Sequence, residues 1–154
     1  MKTPTKYGIL AGLLAGIWLI AEHFWELKNP GVATFAGYVG YFIYFSFIFI
    51  SIRIVREKEL QGFIDFKTAM RTGVLTAVYY SLVLGLFTFI NYAFVNTDYL
   101  LQQNPAASLQ EIQNSKNIGR ILQGVILIIP FNILFGTLIS VVISALMKRE
   151  NRFS

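Results

Sequence analysis

The chain has 154 residues, of which 55% are hydrophobic and only 14% are charged, and its formal net charge is +5. A soluble domain usually carries about 25% charged residues, so this composition excludes a water-soluble globule, whose surface it could not cover. The chain contains no cysteine, which excludes disulfides, thiolate metal sites and cysteine nucleophiles.

Long apolar stretches dominate the sequence. A transmembrane helix needs roughly 20 apolar residues to cross a hydrocarbon layer about 30 Å thick, and the first stretch reaches this length if Glu22 and Glu26 sit at head-group level. Transmembrane barrel strands would alternate in polarity, whereas Tyr38–Ile54 is nearly all apolar. The sequence therefore predicts an all-α transmembrane four-helix bundle, one domain over residues 1–154. Its spans fall at about 7–27, 37–54, 73–94 and 121–147.

The start of the chain allows a second interpretation, because Lys2, Lys6 and the apolar run after them resemble a secretory signal peptide. Such peptides end in a small-x-small cleavage site. Here Leu19 lies two positions before Ala21, and Glu22 follows it. We therefore expect the first helix to remain in the protein.

Basic residues are distributed unevenly between the two sides of the predicted bundle. Cytoplasmic loops carry an excess of Lys and Arg, so the heavier side predicts cytoplasmic termini and a cytoplasmic central loop. This arrangement explains the net charge by topology rather than by nucleic acid, and the same residues could contact anionic lipid head groups. The heavier side has Lys2, Lys6, Arg53, Arg56, Lys58, Lys67, Arg71, Lys148, Arg149 and Arg152, and the lighter side has Lys28, Lys116 and Arg120.

Small residues recur at every fourth position on three of the predicted helices. Residues four apart share one helix face, and the packing of small residues helps to hold helices together in lipid. The pattern therefore predicts close helix crossings. The residues are Gly8, Gly12 and Gly16 on the first helix, Gly73, Ala77, Ser81 and Gly85 on the third, and Gly136, Ser140 and Ser144 on the fourth.

The second helix differs, because large rings such as Tyr38, Tyr41, Phe42 and Tyr44 occur on all its sides. We expect some of these rings to fill the grooves beside the small residues and the others to face lipid. The alternative is a slot lined by rings that binds a ligand.

The central loop shows a helical pattern of its own. Phe63, Phe66, Ala69 and Met70 fall at i, i+3, i+6 and i+7, which is typical of one apolar helix face. The pattern predicts a short amphipathic helix that lies in the membrane interface, or under the bundle end, and runs into the third span.

Turn-forming and capping residues occur in the two outer loops, and a proline occurs in the fourth span. The segment Asn29-Pro30-Gly31 predicts a turn in the outer loop Lys28–Ala36. Ser108 followed by Glu111 matches a capping box in the long outer loop, which is also broken by Pro105. Pro130 lies within the fourth span and should bend it, because proline removes one backbone hydrogen bond.

Glu22, His23 and Glu26 form the most concentrated group of titratable residues near a span. Two carboxylates and an imidazole on adjacent helix positions can bind a divalent cation or transfer protons. The group lies at the predicted interface, however, where a solvated or ion-paired helix end needs no ligand. Both interpretations stay open, and we assign no metal or cofactor.

Asn132 is the clearest polar residue in the middle of a predicted span. It lies four residues before Gly136, on the face that also carries Ser140 and Ser144. An amide at this depth most often forms an interhelical hydrogen bond, and contact with a ligand or ion is the alternative.

Sequence motifs for known chemistry are missing. There is one histidine, no serine in a G-x-S-x-G context, no G-x-x-x-x-G-K loop and no G-x-G-x-x-G turn. None of the eight Asp or Glu residues lies mid-span, where a proton-driven transporter usually carries an acid. These absences argue against an enzyme and a pump.

Three segments carry a resemblance to a known family. They are Lys6-Tyr7-Gly8, then Gly62-Phe63-Ile64-Asp65-Phe66-Lys67-Thr68-Ala69-Met70-Arg71-Thr72-Gly73 after the basic exit Arg53, Arg56 and Lys58, and finally Leu138–Arg149. Together they resemble an uncharacterised bacterial family of small four-span membrane proteins, a domain of unknown function. The resemblance covers nearly the whole chain. It implies a bacterial inner-membrane location and provides no catalytic residues, and the group at Glu22 has no counterpart in it.

We expect a non-enzymatic protein of the inner membrane that acts as a scaffold or interaction subunit. Its partners would be lipid, other membrane proteins or further copies of itself. The alternative is a small transporter or channel component that uses Asn132 and the tyrosines of the second helix within an oligomer. A membrane enzyme would require a pocket in which Glu22, His23 and Glu26 hold a metal.

Overall fold

A computed structural model describes residues 2–26, 33–95 and 117–148. These residues form four α-helices that we label α1 (Thr3–Glu26), α2 (Ala33–Ile54), α3 (Phe66–Ile90) and α4 (Ile118–Met147). α2 and α3 each continue into a π-helical turn, Val55–Glu59 and Asn91–Val95 respectively. Each helix, with its π turn where it has one, is long and apolar enough to cross a membrane. The fold class predicted from the sequence is therefore confirmed.

All four helices begin before the spans that the hydropathy pattern predicts. α2 starts at Ala33, inside the predicted outer loop, and α3 starts at Phe66, so the predicted amphipathic segment forms its first turns without a break. Asp65 caps α3 by accepting a hydrogen bond 3.1 Å long from the main-chain N–H of Thr68. Once a helix is nucleated, the hydrogen bond that each further residue adds offsets the entropy lost in fixing that residue, and polar residues at a helix end do not prevent this.

Contacts between matched positions show that consecutive helices are antiparallel. The start of α1 contacts the later part of α2, since the ring centroids of Tyr7 and Phe47 are 6.3 Å apart. The end of α1 contacts the first part of α2, where Glu22 lies beside Gly37. The Thr3 hydroxyl also donates a hydrogen bond to the Glu59 carboxylate. α3 and α4 run antiparallel as well, as the contacts below show. The start of α1, residues 55–65 and the end of α4 therefore share one end of the bundle, which we call the basic end.

α3 is the central helix of the bundle. It packs extensively against α1 on one flank and against α4 on the other, while α1 and α4 scarcely touch each other. α2 contacts all three other helices and covers one side of the bundle. The other side of the α3–α4 pair is not covered by α1 or α2.

The turn that links α2 to α3 requires an unusual backbone. Gln61 and Gly62 have φ values of 53° and 92°, in the left-handed region that glycine adopts without steric cost. The Gly62 N–H donates to the Arg56 carbonyl over 2.7 Å, and the Leu60 N–H donates to the Val55 carbonyl over 3.0 Å. These bonds satisfy the carbonyls of the first two residues of the π turn, where the chain reverses.

The glycines of α1 allow its backbone to lie directly on α3. A Cβ at Gly8 would be 2.6 Å from the Cβ of Tyr79, and one at Gly12 would be 2.6 Å from the Cβ of Val83. A Cβ at Gly16 would overlap the ring of Phe87. The contacts advance together along both helices, so α1 and α3 are parallel.

α4 approaches α3 through small residues on both helices. A Cβ at Gly73 would overlap the side chain of Ser140, and a Cβ at Gly85 would be 2.9 Å from Cγ1 of Ile129. A Cβ at Gly136 would be 2.5 Å from the Cβ of Ala77. Later residues of α3 meet earlier residues of α4, which makes the pair antiparallel. α4 remains a continuous helix through Pro130.

Three features expected from the sequence lie outside the described residues. They are the turn at Asn29-Pro30-Gly31, the capping box of Ser108 and Glu111, and the break at Pro105.

Replacing Gly136 by alanine should destabilise the bundle, because the added methyl group would overlap the Tyr44 hydroxyl and the Cβ of Ala77. Overpacking of this kind costs about 1–3 kcal/mol. Gly124→Ala is the matched control on the same helix, since a Cβ at Gly124 has no atom within 4 Å. Reversible unfolding of both purified variants in mixed micelles measures the difference. Equal stabilities would contradict the close approach at Gly136.

Candidate functional site

The group predicted at the outer end of α1 is only partly assembled. His23 is buried, with 8% of its surface exposed, and its ring centroid lies 5.6 Å from that of Phe24. Glu22 turns toward the start of α2, where its Oε1 is 3.8 Å from the position of a Cβ on Gly37. Glu26 is the last residue of α1, and its side chain lies outside the described part. Within the described residues, no three His, Asp or Glu side chains are arranged to hold a metal ion.

The second candidate, Asn132, takes part in a contact between α2 and α4. The Tyr44 hydroxyl donates a hydrogen bond 2.8 Å long to the main-chain carbonyl of Asn132. The sequence predicts an interhelical hydrogen bond of the Asn132 side-chain amide. The interhelical hydrogen bond found at this position is instead accepted by the main-chain carbonyl of Asn132. Space for the hydroxyl is provided by Gly136, because a Cβ there would overlap it. Ser81 of α3 lies beside the same hydroxyl.

Tyr44 is also held by a stacked ring. Its ring lies 3.9 Å from that of Tyr80, with an angle of 12° between the two planes. Tyr44 and Tyr80 are 1% and 3% exposed. By contrast, Tyr38, Phe42 and most other rings of α2 are exposed. As predicted, one ring of α2 fills the groove at the small residues and others point outward.

The buried hydroxyls of the described helices mostly bond to their own helix. Each donates to the carbonyl four residues earlier, which leaves few free polar atoms in the interior. These bonds run from Thr72 to Thr68, Thr76 to Thr72, Ser81 to Ala77, Thr88 to Leu84, Thr137 to Ile133 and Ser140 to Gly136, over 2.6–2.9 Å.

One hydroxyl pair joins two helices. The Oγ1 of Thr76 lies 2.8 Å from the Oγ of Ser51 on α2. A hydroxyl carries a single hydrogen, so Thr76 donates to its own helix and accepts from Ser51. The sequence shows that Thr72 and Thr76 are four residues apart, but it does not show that Thr76 pairs with Ser51 on α2.

Two buried polar atoms of the described residues have no hydrogen-bond partner, the Oδ1 of Asn91 and the Oγ of Ser144. Asn91 starts the π-helical turn at the outer end of α3, and π turns are frequent at functional sites. Ser144 lies near the basic end, one turn beyond Ser140. The two atoms are far apart along the bundle and do not form a common site.

Acidic residues neutralise one part of the basic end. The Glu57 carboxylate bonds to Nε of Arg53 over 2.9 Å and to an Nη of Arg56 over 3.3 Å. Glu59 bonds to Thr3. The Asp65 carboxylate accepts hydrogen bonds from the hydroxyl and the N–H of Thr68, which hold the pKa of that carboxyl below its usual value.

These contacts describe a four-helix protein with helices long and apolar enough to span a membrane, whose described interior holds small residues, isoleucines, hydroxyls and a tyrosine stack. Residues 6–149 match the family described as Protein of unknown function (DUF4199), and the chain belongs to that family. The comparisons found no match among curated proteins or solved structures.

Tyr44→Phe should lower the free energy of unfolding by about 1 kcal/mol, since it removes an interhelical hydrogen bond and keeps the ring. Tyr41→Phe is the matched control, because Tyr41 is 54% exposed and contacts Phe135 through its ring. Asn132→Leu keeps the main-chain carbonyl and should preserve the bond. Unfolding in mixed micelles compares all three variants. A larger loss at Asn132 than at Tyr44 would contradict this assignment.

Proposed function

We propose that this protein is a non-enzymatic subunit of the bacterial inner membrane that binds another membrane protein, or a second copy of itself, through the outer face of α4. Among the described residues, most buried hydroxyls bond to carbonyls of their own helix, which supports a packing role for the interior. The observation that carries the proposal is a face of α4 that no other described helix covers.

The outer face of α4 combines large apolar side chains with a small residue. Leu127, Phe131 and Leu138 are 72%, 66% and 66% exposed. Gly124 lies on the same face, because Phe131 and Leu138 follow it at intervals of seven residues, about two helical turns. Gly124 is exposed, and a Cβ on it would have no neighbour within 4 Å. A second helix could therefore bring its backbone close to α4 at this point.

The alternative, a transporter or channel component, is supported by the hydroxyls on the buried face of α3 and by the unpartnered oxygen of Asn91. The hydroxyls are bonded to carbonyls of their own helix, which is how threonine and serine are commonly accommodated in a packed membrane helix. The geometry therefore favours the interaction subunit.

Photocrosslinking in native membranes tests the proposed contact. A photoreactive residue at Leu127 should yield a protein adduct of defined mass. The same residue at Leu82 is the matched control, because Leu82 is 52% exposed on α3, away from the α4 face. Lipid adducts alone at Leu127, or identical protein adducts at both positions, would count against the proposal.

The proposed orientation places the basic end in the cytoplasm, since positively charged loops are retained on that side. The sequence has no cysteine, so a single introduced cysteine is the only thiol in the chain that a maleimide can label. Ile118→Cys, at the opposite end, should react with an impermeant maleimide on intact spheroplasts. Lys58→Cys should react only after lysis. Reversed labelling would reject the orientation and leave the helix contacts unaffected.

A further inference from the structure

We propose that the groove between α3 and α4, on the side away from α2, binds one acidic phospholipid. Its phosphate would lie at Lys67, Arg71 and Lys148, and an acyl chain would run along the groove. The inference rests on the proposed location in the membrane and names a specific lipid site within it.

The position of the two α3 cations follows from helix geometry. Lys67 lies 18 residues before Gly85, which is five turns at 3.6 residues per turn, so both residues face the same direction. Gly85 faces α4, where a Cβ would meet Ile129 and Val125. Lys67 therefore projects along the α4 flank of α3, and Arg71 lies one turn further on, at the edge of the same flank.

Lys148 directly follows Met147, the last residue of α4, and lies at a similar level. Gly73 meets Ser140 across the antiparallel pair. Lys67 is six residues before Gly73, a rise of about 9 Å from the level of this contact toward the basic end. Lys148 is eight residues after Ser140, a rise of about 12 Å in the same direction. All three cations are exposed, and the helix geometry places them at the basic end of the groove.

Ion pairing distinguishes these cations from the two arginines at the end of α2, while Lys2, Lys6 and Lys58 are, like them, in no ion pair among the described residues. Arg53 and Arg56 share the Glu57 carboxylate, whereas Lys67, Arg71 and Lys148 form no ion pair within the described part of the chain. The nearby Asp65 carboxylate is directed to Thr68 at the start of α3. A phosphate at the head-group level would supply the missing negative charge.

Below the cations, the groove is apolar and free of the other described helices. Val74 and Val78 follow Lys67 and Arg71 by seven residues each, and Val141 precedes Lys148 by seven. Val141 is 39% exposed. α1 packs on the opposite flank of α3, at Tyr79, Val83 and Phe87. Cations above an open apolar groove match a lipid better than a free anion, which would need no groove.

Native mass spectrometry of the full-length protein in detergent tests the site, with phosphatidylglycerol or phosphatidylcholine added. The wild type should bind the first phosphatidylglycerol at least about tenfold more tightly than phosphatidylcholine. The variant K67Q/R71Q/K148Q should weaken phosphatidylglycerol binding by about 10- to 100-fold, since each cation contributes to attraction of the anionic lipid.

Matched variants separate a site from general surface charge. K2Q/K6Q/K58Q removes the same charge from the α1–α2 side of the basic end and should change the affinity less than about threefold. K67R/R71K/K148R keeps the charge and should bind like the wild type, which also controls for folding. Val141→Trp should block the groove, and Val142→Trp, on a neighbouring exposed position, should not.

Several outcomes would overturn the inference. Equal losses in the two glutamine variants, or equal effects of the two tryptophans, would show that no site exists in the groove. Displacement of the lipid by millimolar inorganic phosphate would assign the cations to a free anion instead. A failed crosslink at Leu127 with intact phosphatidylglycerol preference would reject the protein contact alone.

Discussion

The close approach of helix backbones to α3 is the constraint on which the rest of the structure depends. Within lipid the hydrophobic effect does not drive helices together, so van der Waals contact and interhelical hydrogen bonds must do so. Gly8, Gly12 and Gly16 bring α1 onto one flank of α3, and Gly73 and Gly136 bring α4 onto the other. Each of these contacts is closer than any residue with a Cβ would allow, and together they determine which helices are neighbours.

Tyr44 shows how a large polar side chain fits this small-residue interior. Its ring stacks on Tyr80, its hydroxyl lies over Gly136, and its hydrogen is donated to the Asn132 carbonyl. A buried hydroxyl without a partner would be costly, so the ring and its acceptor are required together. Because most other buried hydroxyls bond within their own helix, the interior serves packing. For this reason we propose that binding takes place on the outside of the bundle.

Hydrophobic length and small-residue spacing predicted the four spans and the faces that carry Gly8 or Gly136, because both signals are local. The partner of each face could not be predicted, since the contact of Gly136 with Tyr44 joins residues 92 positions apart. The start of α2 at Ala33 was missed because turn-forming residues limit a span without stopping a helix, whereas the amphipathic pattern before the third span predicted the helix that begins at Phe66. At Asn132 the acceptor is a main-chain carbonyl, which side-chain chemistry does not reveal.

The two proposed surfaces lie on different sides of α4. Gly124, Phe131 and Leu138 face away from the bundle, whereas Val141 lies toward the groove with α3. A lipid in that groove would contact α3 and α4 together and would border the protein-binding face without covering it. Salt bridges at the end of α2 occupy Arg53 and Arg56, because Glu57 is four residues from Arg53 and adjacent to Arg56. The same local pairing leaves the cations of α3 and α4 for an external anion, so lipid and protein could be bound at the same time.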